Sequence, residues 1–157
     1  MSEEIIENKK LNFGIDAMGG DNAPVEIING VVDYIKETPN ENTIVTLIGK
    51  EEIIQSKLIN YDVDLSRIEI VNATEVITGE DHPTDAIRHK KDSSMVVGFR
   101  MLKAGEGDVF ISAGNSGALL TGATLLVGRI KGIDRPALAP VLPAYKSKFI
   151  LSFLFPL

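Results

Sequence analysis

At 157 residues, 44% hydrophobic and 24% charged, the chain has the makeup of one soluble globular domain with its own core. A net charge of −6 disfavours a general nucleic-acid role, and the lack of cysteine excludes disulfides, thiolate metal sites and a cysteine nucleophile. Two histidines, His82 and His89, are too few for a convincing metal site, and no metal or cofactor is expected.

The opening MSEEIIENKK has neither a long apolar core nor a small-residue cleavage pattern, so residues 1–10 read as a flexible N-terminus and not a secretory signal. No window approaches the ~20 apolar residues of a spanning helix, and a cytoplasmic protein is expected. LNFGID reads as a strand ending at Asp16. From Ala23 to Glu37, Val25, Ile28, Val31, Val32 and Ile35 recur at helical spacing. TIVTLIG (Thr43–Gly49) is a β-branched, nearly continuous apolar strand, and Glu51–Ile59 a short helix. RIEIVNA forms a third strand. One or two helices span roughly Thr84–Ala104, with Gly98 as a candidate break. GDVFISAG is a fourth strand, Ser116–Ile130 a helix, and PALAPVL (Pro136–Leu142) a fifth strand.

Strand–helix alternation with continuous apolar strands predicts an α/β fold: a mainly parallel sheet with helices on both faces. Ligands of such sheets bind beyond the carboxyl ends of the strands. Three glycine-rich or polar segments fall there: Asp16–Asn22, Ile77–Pro83 and Ala113–Gly117. Their convergence on one edge is the main argument for a site.

In ISAGNSGALLTGATLLVG, Gly114 and Gly117 let backbone approach a ligand, and Asn115 or Ser116 can cap a helix whose first N–H groups suit an anion. The segment is neither a Walker A loop, since Leu120 stands where Gly-Lys-Ser/Thr is needed, nor a dinucleotide fingerprint. A capped helix packed closely on the sheet explains it equally well. In MGGDNAP, Gly19 and Gly20 permit positive φ, Asn22 can cap, and Pro24 suits a first helical turn. Asp16 can hydrogen-bond backbone N–H groups, orient a catalytic group or bind Mg²⁺. Asp21 repels a phosphate unless a cation intervenes. A tight turn is the competing reading. Arg88, Lys91, Arg100 and Lys103 recur at spacings that place cations on related helix faces, where they can hold phosphate or simply be solvated. His82 is a candidate for acid–base work or an exposed loop histidine. Ser93 and Ser94 read as a helix N-cap.

Taken together, IDAMGGDNAP, DHPTDAIRHKKDSSMVVGFRMLKAGEGDVFISAGNSGALLTGA and GIDRPALAPVLP resemble the phosphate acyltransferase (PlsX) family of bacterial phospholipid synthesis, from about Leu11 to Pro143. The resemblance implies a fold like that of isocitrate and isopropylmalate dehydrogenases. It implies transfer of a fatty acyl group from acyl-acyl-carrier protein to inorganic phosphate, homodimers, and peripheral membrane association. Phosphate itself would be the nucleophile, so no catalytic Cys or Ser–His pair is required. On this resemblance Asp16, Asp21 and Asn115 are the catalytic candidates, the two acids as orienting groups and not nucleophiles. Gly19, Gly20, Asn115, Ser116 and Gly117 offer backbone donors. Gly114, His82, Arg88, Arg100 and Lys103 complete the phosphate- or substrate-binding set.

Family members are longer than this chain. The domain is therefore expected over 11–143 as the N-terminal half of that fold. Residues 144–157, AYKSKFILSFLFPL, are an atypical tail whose simplest account is a frameshifted or truncated reading frame. By itself the short chain is expected to be inactive. Two other readings compete: a phosphotransacetylase-like enzyme using acyl-CoA, and a non-catalytic fragment that binds acyl-carrier protein.

Overall fold

TIVTLIG is buried at every one of its seven positions, which only a strand covered on both faces can be. In the computed structural model, which describes residues 10–39, 42–134, 136, 141–144 and 148–151, this segment is the second strand of a four-stranded sheet. The strands are β1 (Leu11–Asp16), β2 (Thr43–Gly49), β3 (Ile68–Asn72) and β4 (Val109–Ile111), in the order β3-β2-β1-β4 and all parallel. In register, Phe13 lies opposite Val45 on one side and Val109 on the other. Asn12 fixes that register: its amide donates to the Glu106 carbonyl, its side-chain oxygen accepts from Thr46, and its N–H donates to Asp108.

Helices cover both faces. On the first, α1 (Val25–Glu37) and α2 (Glu51–Leu58) bury Ile28, Val31, Val32, Ile35, Ile54 and Leu58 against Val45 and Leu47. Burial of each such aliphatic side chain stabilises the fold by about 1.5–3 kcal/mol. On the second face, α3 (Pro83–His89), α4 (Ser94–Ala104) and α5 (Ser116–Gly122) pack around Ile87, Met95, Val96, Phe99 and Ala118, with Phe110 of β4 against them. Among the described residues no helix is long and apolar enough to cross a membrane.

Several expectations are corrected. Gly98 does not break the helical stretch. It lies buried inside α4, where a Cβ would sit 2.1 Å from a ring carbon of Phe110. The break falls between His89 and Ser94, where Glu75 N–H donates to Asp92 O, Asp92 N–H donates to the Glu75 carboxylate, and the Ser93 hydroxyl accepts from Val96 N–H. The helix expected over Ser116–Ile130 is α only to Gly122, continues as one π-type turn over Ala123–Val127, and ends at Gly128 with φ +110°. Asn22 does not cap α1, which starts at Val25 with no side-chain cap.

The fifth strand does not extend the parallel sheet. β5 (Val141–Ala144) pairs antiparallel with β6 (Lys148–Leu151) in a separate two-stranded sheet. Pro143 lacks a ladder donor, a defect tolerated in a ribbon whose strands both have an outer edge. The earlier part of that expected strand, residues 137–140, and most of the 1–10 terminus lie outside the described residues.

Candidate active site

Alternation along β1 puts Gly14 and Asp16 on the α4 face of the sheet, and the register brings Asp16 beside Ser112, one residue past β4. Asp16 is 2% exposed. One carboxylate oxygen accepts from Met18 N–H at 3.1 Å and the other from the Ser112 hydroxyl at 2.7 Å; the Ser112 oxygen in turn accepts from Gly114 N–H at 3.1 Å. One buried carboxylate thus ties the loop after β1 to the loop after β4, and a charge so placed requires such partners.

The two loops then touch backbone to backbone. A Cβ on Gly19 would lie 2.6 Å from the Asp16 carboxylate, and one on Gly114 would lie 3.2 Å from the Gly19 Cα. Gly20 has φ +106° and turns the chain past the Ala113 carbonyl.

A third segment, after β3, closes the other side. The Asn115 amide donates to the carbonyls of Thr78 and Asp81, each at 3.0 Å, while its oxygen accepts from Ala118 N–H and caps α5. Asn115 therefore clamps two loops together, with its side-chain donors and acceptor all engaged. Within the third segment, Asp81 accepts from Thr78 N–H at 2.7 Å and from Lys90 Nζ at 2.6 Å. The Lys90 hydrogen bond, followed by that of Thr78, holds the Asp81 carboxyl below its ordinary value. Behind it, hydrogen bonds from the Thr74 hydroxyl and then its N–H likewise lower Asp92.

These three segments enclose a cleft of about 260 Å³ at the carboxyl ends of the strands, lined by Met18, Gly20, Asp21, Val76–Gly79 and Ala113–Asn115. The N–H groups of Gly20 and Gly79 donate to no acceptor among the described residues. Shape, glycine backbone and size suit a small anion or the reacting end of a larger substrate, with the charge of Asp21, exposed on the lining, screened by solvent.

The sequence-derived candidates divide sharply. Gly20, Asp21, Gly114 and Asn115 line the cleft, and Asp16 and Gly19 lie directly beneath it. Ser116 is exposed at the start of α5. Gly117 serves packing: a Cβ there would meet the Pro83 ring at 2.7 Å, so it lets α3 and α5 approach. His82 is exposed, with its ring 3.5 Å from the Asp85 carboxylate. Arg88, Arg100 and Lys103 are exposed, and none of the described lining residues is a cation. Sequence reasoning missed Ser112 and Lys90. Ser112 is the first polar residue after VFI, but only the inter-strand register reveals that it meets Asp16.

The family described as fatty acid synthesis protein matches residues 11–153. The phosphate acyltransferase of Acetivibrio thermocellus is 53% identical over 137 residues, covering 87% of this chain and 40% of that protein. That of Exiguobacterium sibiricum is 50% identical over 139 residues, with 88% and 41% covered, and that of Clostridioides difficile 50% over 132, with 84% and 38% covered. The chain thus spans about 40% of the length of these curated relatives. On a match that runs through all four parallel strands and every segment of the cleft, the chain belongs to the fatty acid synthesis protein family, in which these phosphate acyltransferases are its relatives.

Proposed function

We propose that the cleft is the phosphate-binding part of an acyltransferase that moves a fatty acyl group from acyl-acyl-carrier protein to inorganic phosphate, giving acyl phosphate for phospholipid synthesis. The observation that carries the reading is the meeting of three strand-end segments around the glycine-lined cleft, in a chain whose relatives are named phosphate acyltransferase. Residues 11–143 hold this part of the fold.

Phosphate sits against the N–H groups of Gly20 and Gly79, which donate to nothing else among the described residues. A phosphate oxygen attacks the thioester carbonyl, the new C–O bond forms as the C–S bond breaks, and the sulfur leaves as thiol. Asp21, on the cleft lining, takes the proton released by hydrogen phosphate and returns it to the departing sulfur. Asp16 and Asn115 act as positioning residues, because their polar atoms are engaged with the loops they hold. The enzyme's contribution is placement and stabilisation of the tetrahedral oxyanion. Arg88, Arg100 and Lys103, exposed away from the lining, contact the carrier protein. Pairing of two copies and peripheral contact with a membrane belong to the same reading of the longer relatives.

The test is phosphate-dependent release of free carrier protein from acyl-acyl-carrier protein by the purified chain, run beside acyl-CoA. Release from the carrier-protein donor supports the reading, and preference for acyl-CoA replaces it with a phosphotransacetylase-like activity. Phosphate binding without turnover assigns this chain the binding part alone. The absence of both turnover and phosphate binding overturns it.

A further inference from the structure

Among the described residues, the cations that the sequence offers to this site stay outside its lining, while the Lys90 ammonium reaches the cleft wall. Lys90 sits at the C-terminal cap of α3, and its side chain is 31% exposed. Its Nζ donates to the Val76 carbonyl at 2.8 Å and to the Asp81 carboxylate at 2.6 Å. One residue therefore holds both ends of the wall that runs from Val76 to Asp81. The same Asp81 oxygen accepts from the Thr78 N–H and hydroxyl, and the Asp81 N–H donates to the Thr78 carbonyl.

Ile77, 4% exposed, anchors the start of this wall in the core of the second face, but Thr78, Gly79 and Glu80 are exposed and bury little, so packing does not hold the rest of the turn in place. Polar contacts must do so, against the conformational entropy lost when each residue is fixed. The Asn115 amide grips the turn from the α5 side. Lys90 grips it from the α3 side through charge-assisted hydrogen bonds, the stronger kind. An ammonium at this place also cancels the Asp81 charge, which would otherwise repel an anion in the cleft.

We propose that Lys90 is a positioning residue of the phosphate cleft, holding the Val76–Asp81 wall so that the Gly79 N–H faces the same anion as the Gly20 N–H. The inference rests on the phosphate reading above. Lys90 does not touch the anion, so its effect reaches the cleft through the wall.

The experiment uses the full 157-residue chain, ¹⁵N-labelled, unsubstituted and as Lys90→Met, Lys90→Arg and the double variant Lys90→Met/Asp81→Asn. Two quantities are read: amide exchange at Thr78, whose N–H donates to Asp81, and the inorganic phosphate concentration that half-saturates the Gly20 and Gly79 amide shifts. An unchanged amide shift at Leu47 verifies that each variant is folded. Lys90→Met is expected to speed Thr78 exchange and to weaken phosphate binding by about tenfold each. Lys90→Arg should recover most of both. The double variant should stay weak, because cancelling the charge does not rebuild the clamp. Faster exchange with unchanged phosphate affinity overturns the positioning role, and unchanged exchange overturns the clamp itself. If the unsubstituted chain shows no phosphate shifts, the phosphate reading fails and the positioning role fails with it. Exchange at Thr78 then decides separately whether Lys90 holds the wall.

Discussion

The two faces of the sheet are packed by different means. The α1–α2 face is aliphatic: branched side chains at helical spacing interlock with Val45 and Leu47. The α3–α5 face relies on glycines set against rings. Gly98 lies under Phe110, and a Cβ on Gly122 would come within 2.2 Å of a Phe99 ring carbon. The two rings themselves pack with centroids 5.1 Å apart. A face built from side-chain volume is weakened by removing atoms, whereas one built on missing atoms is weakened by adding them. The site lies at the end of the second face, since Asp16 follows Gly14 along that side of β1.

The largest effect should come from emptying the first face. Leu47→Ala, at a position 0% exposed, is expected to cost about 3 kcal/mol of unfolding free energy in a denaturant titration. A loss under about 1 kcal/mol would mean that the α1–α2 face is loosely packed.

Next, Gly98→Ala should cost about 2 kcal/mol, even though alanine is the better helix former, because the added carbon overlaps the Phe110 ring. The contrast is sharpened by repeating it in a Phe110→Leu background, where most of the penalty should vanish. A neutral or stabilising Gly98→Ala in the parent chain would break the comparison.

Smaller still, Asp16→Asn should cost about 1–2 kcal/mol, because an amide NH₂ replaces an acceptor that faces the Met18 N–H or the Ser112 hydroxyl. Thermal unfolding would register it. The paired readout is the backbone amide of Gly114, which should shift as its Ser112 acceptor reorients. An unmoved Gly114 amide would show that the two loops are joined by other means.

The smallest effect concerns acid. Asp81 and Asp92 have folded pKa values held below the ordinary 3.8 by their hydrogen-bond donors, so their contribution is fully present above 3.8 and fades as pH falls through the lowered values. Both carboxylates are solvent-accessible, so the contribution is modest and screened by salt. Denaturant midpoints measured from neutral pH downward should fall less steeply in Asp81→Asn and Asp92→Asn than in the parent. Identical slopes would remove both carboxylates from the account.

These contrasts also explain what the sequence revealed. The first face was legible because its information is local: Ile28, Val31, Val32 and Ile35 declare a buried helix stripe within eight residues, and a continuous apolar TIVTLIG declares a strand covered twice. The second face is written in pairs far apart in the chain, so Gly98 alone resembles a helix break until Phe110 is placed over it. The site follows the same division. The glycine loops and Asn115 announce strand-end turns by composition, and they do converge. The Asp16–Ser112 bond depends on register between strands 96 positions apart, and Lys90 depends on where the cap of α3 falls. The basic residues stay outside the described cleft lining, because periodic spacing tells which helix face they share and not whether that face meets the cleft.

The strand order has a consequence in time. β1 occupies an interior position in the sheet, yet its neighbour β2 begins at Thr43 whereas its other neighbour β4 begins only at Val109. A growing chain can pair β1 with β2 early, but one edge of β1 stays open until Ile111 has left the ribosome. Closing that edge joins segments about as distant in sequence as this fold allows, which is the slow kind of contact to form. The Asn12 contacts to Glu106 and Asp108 then act as the latch on the last strand to arrive. An early stop before Asp108 would leave the oldest strand of the sheet as its exposed margin.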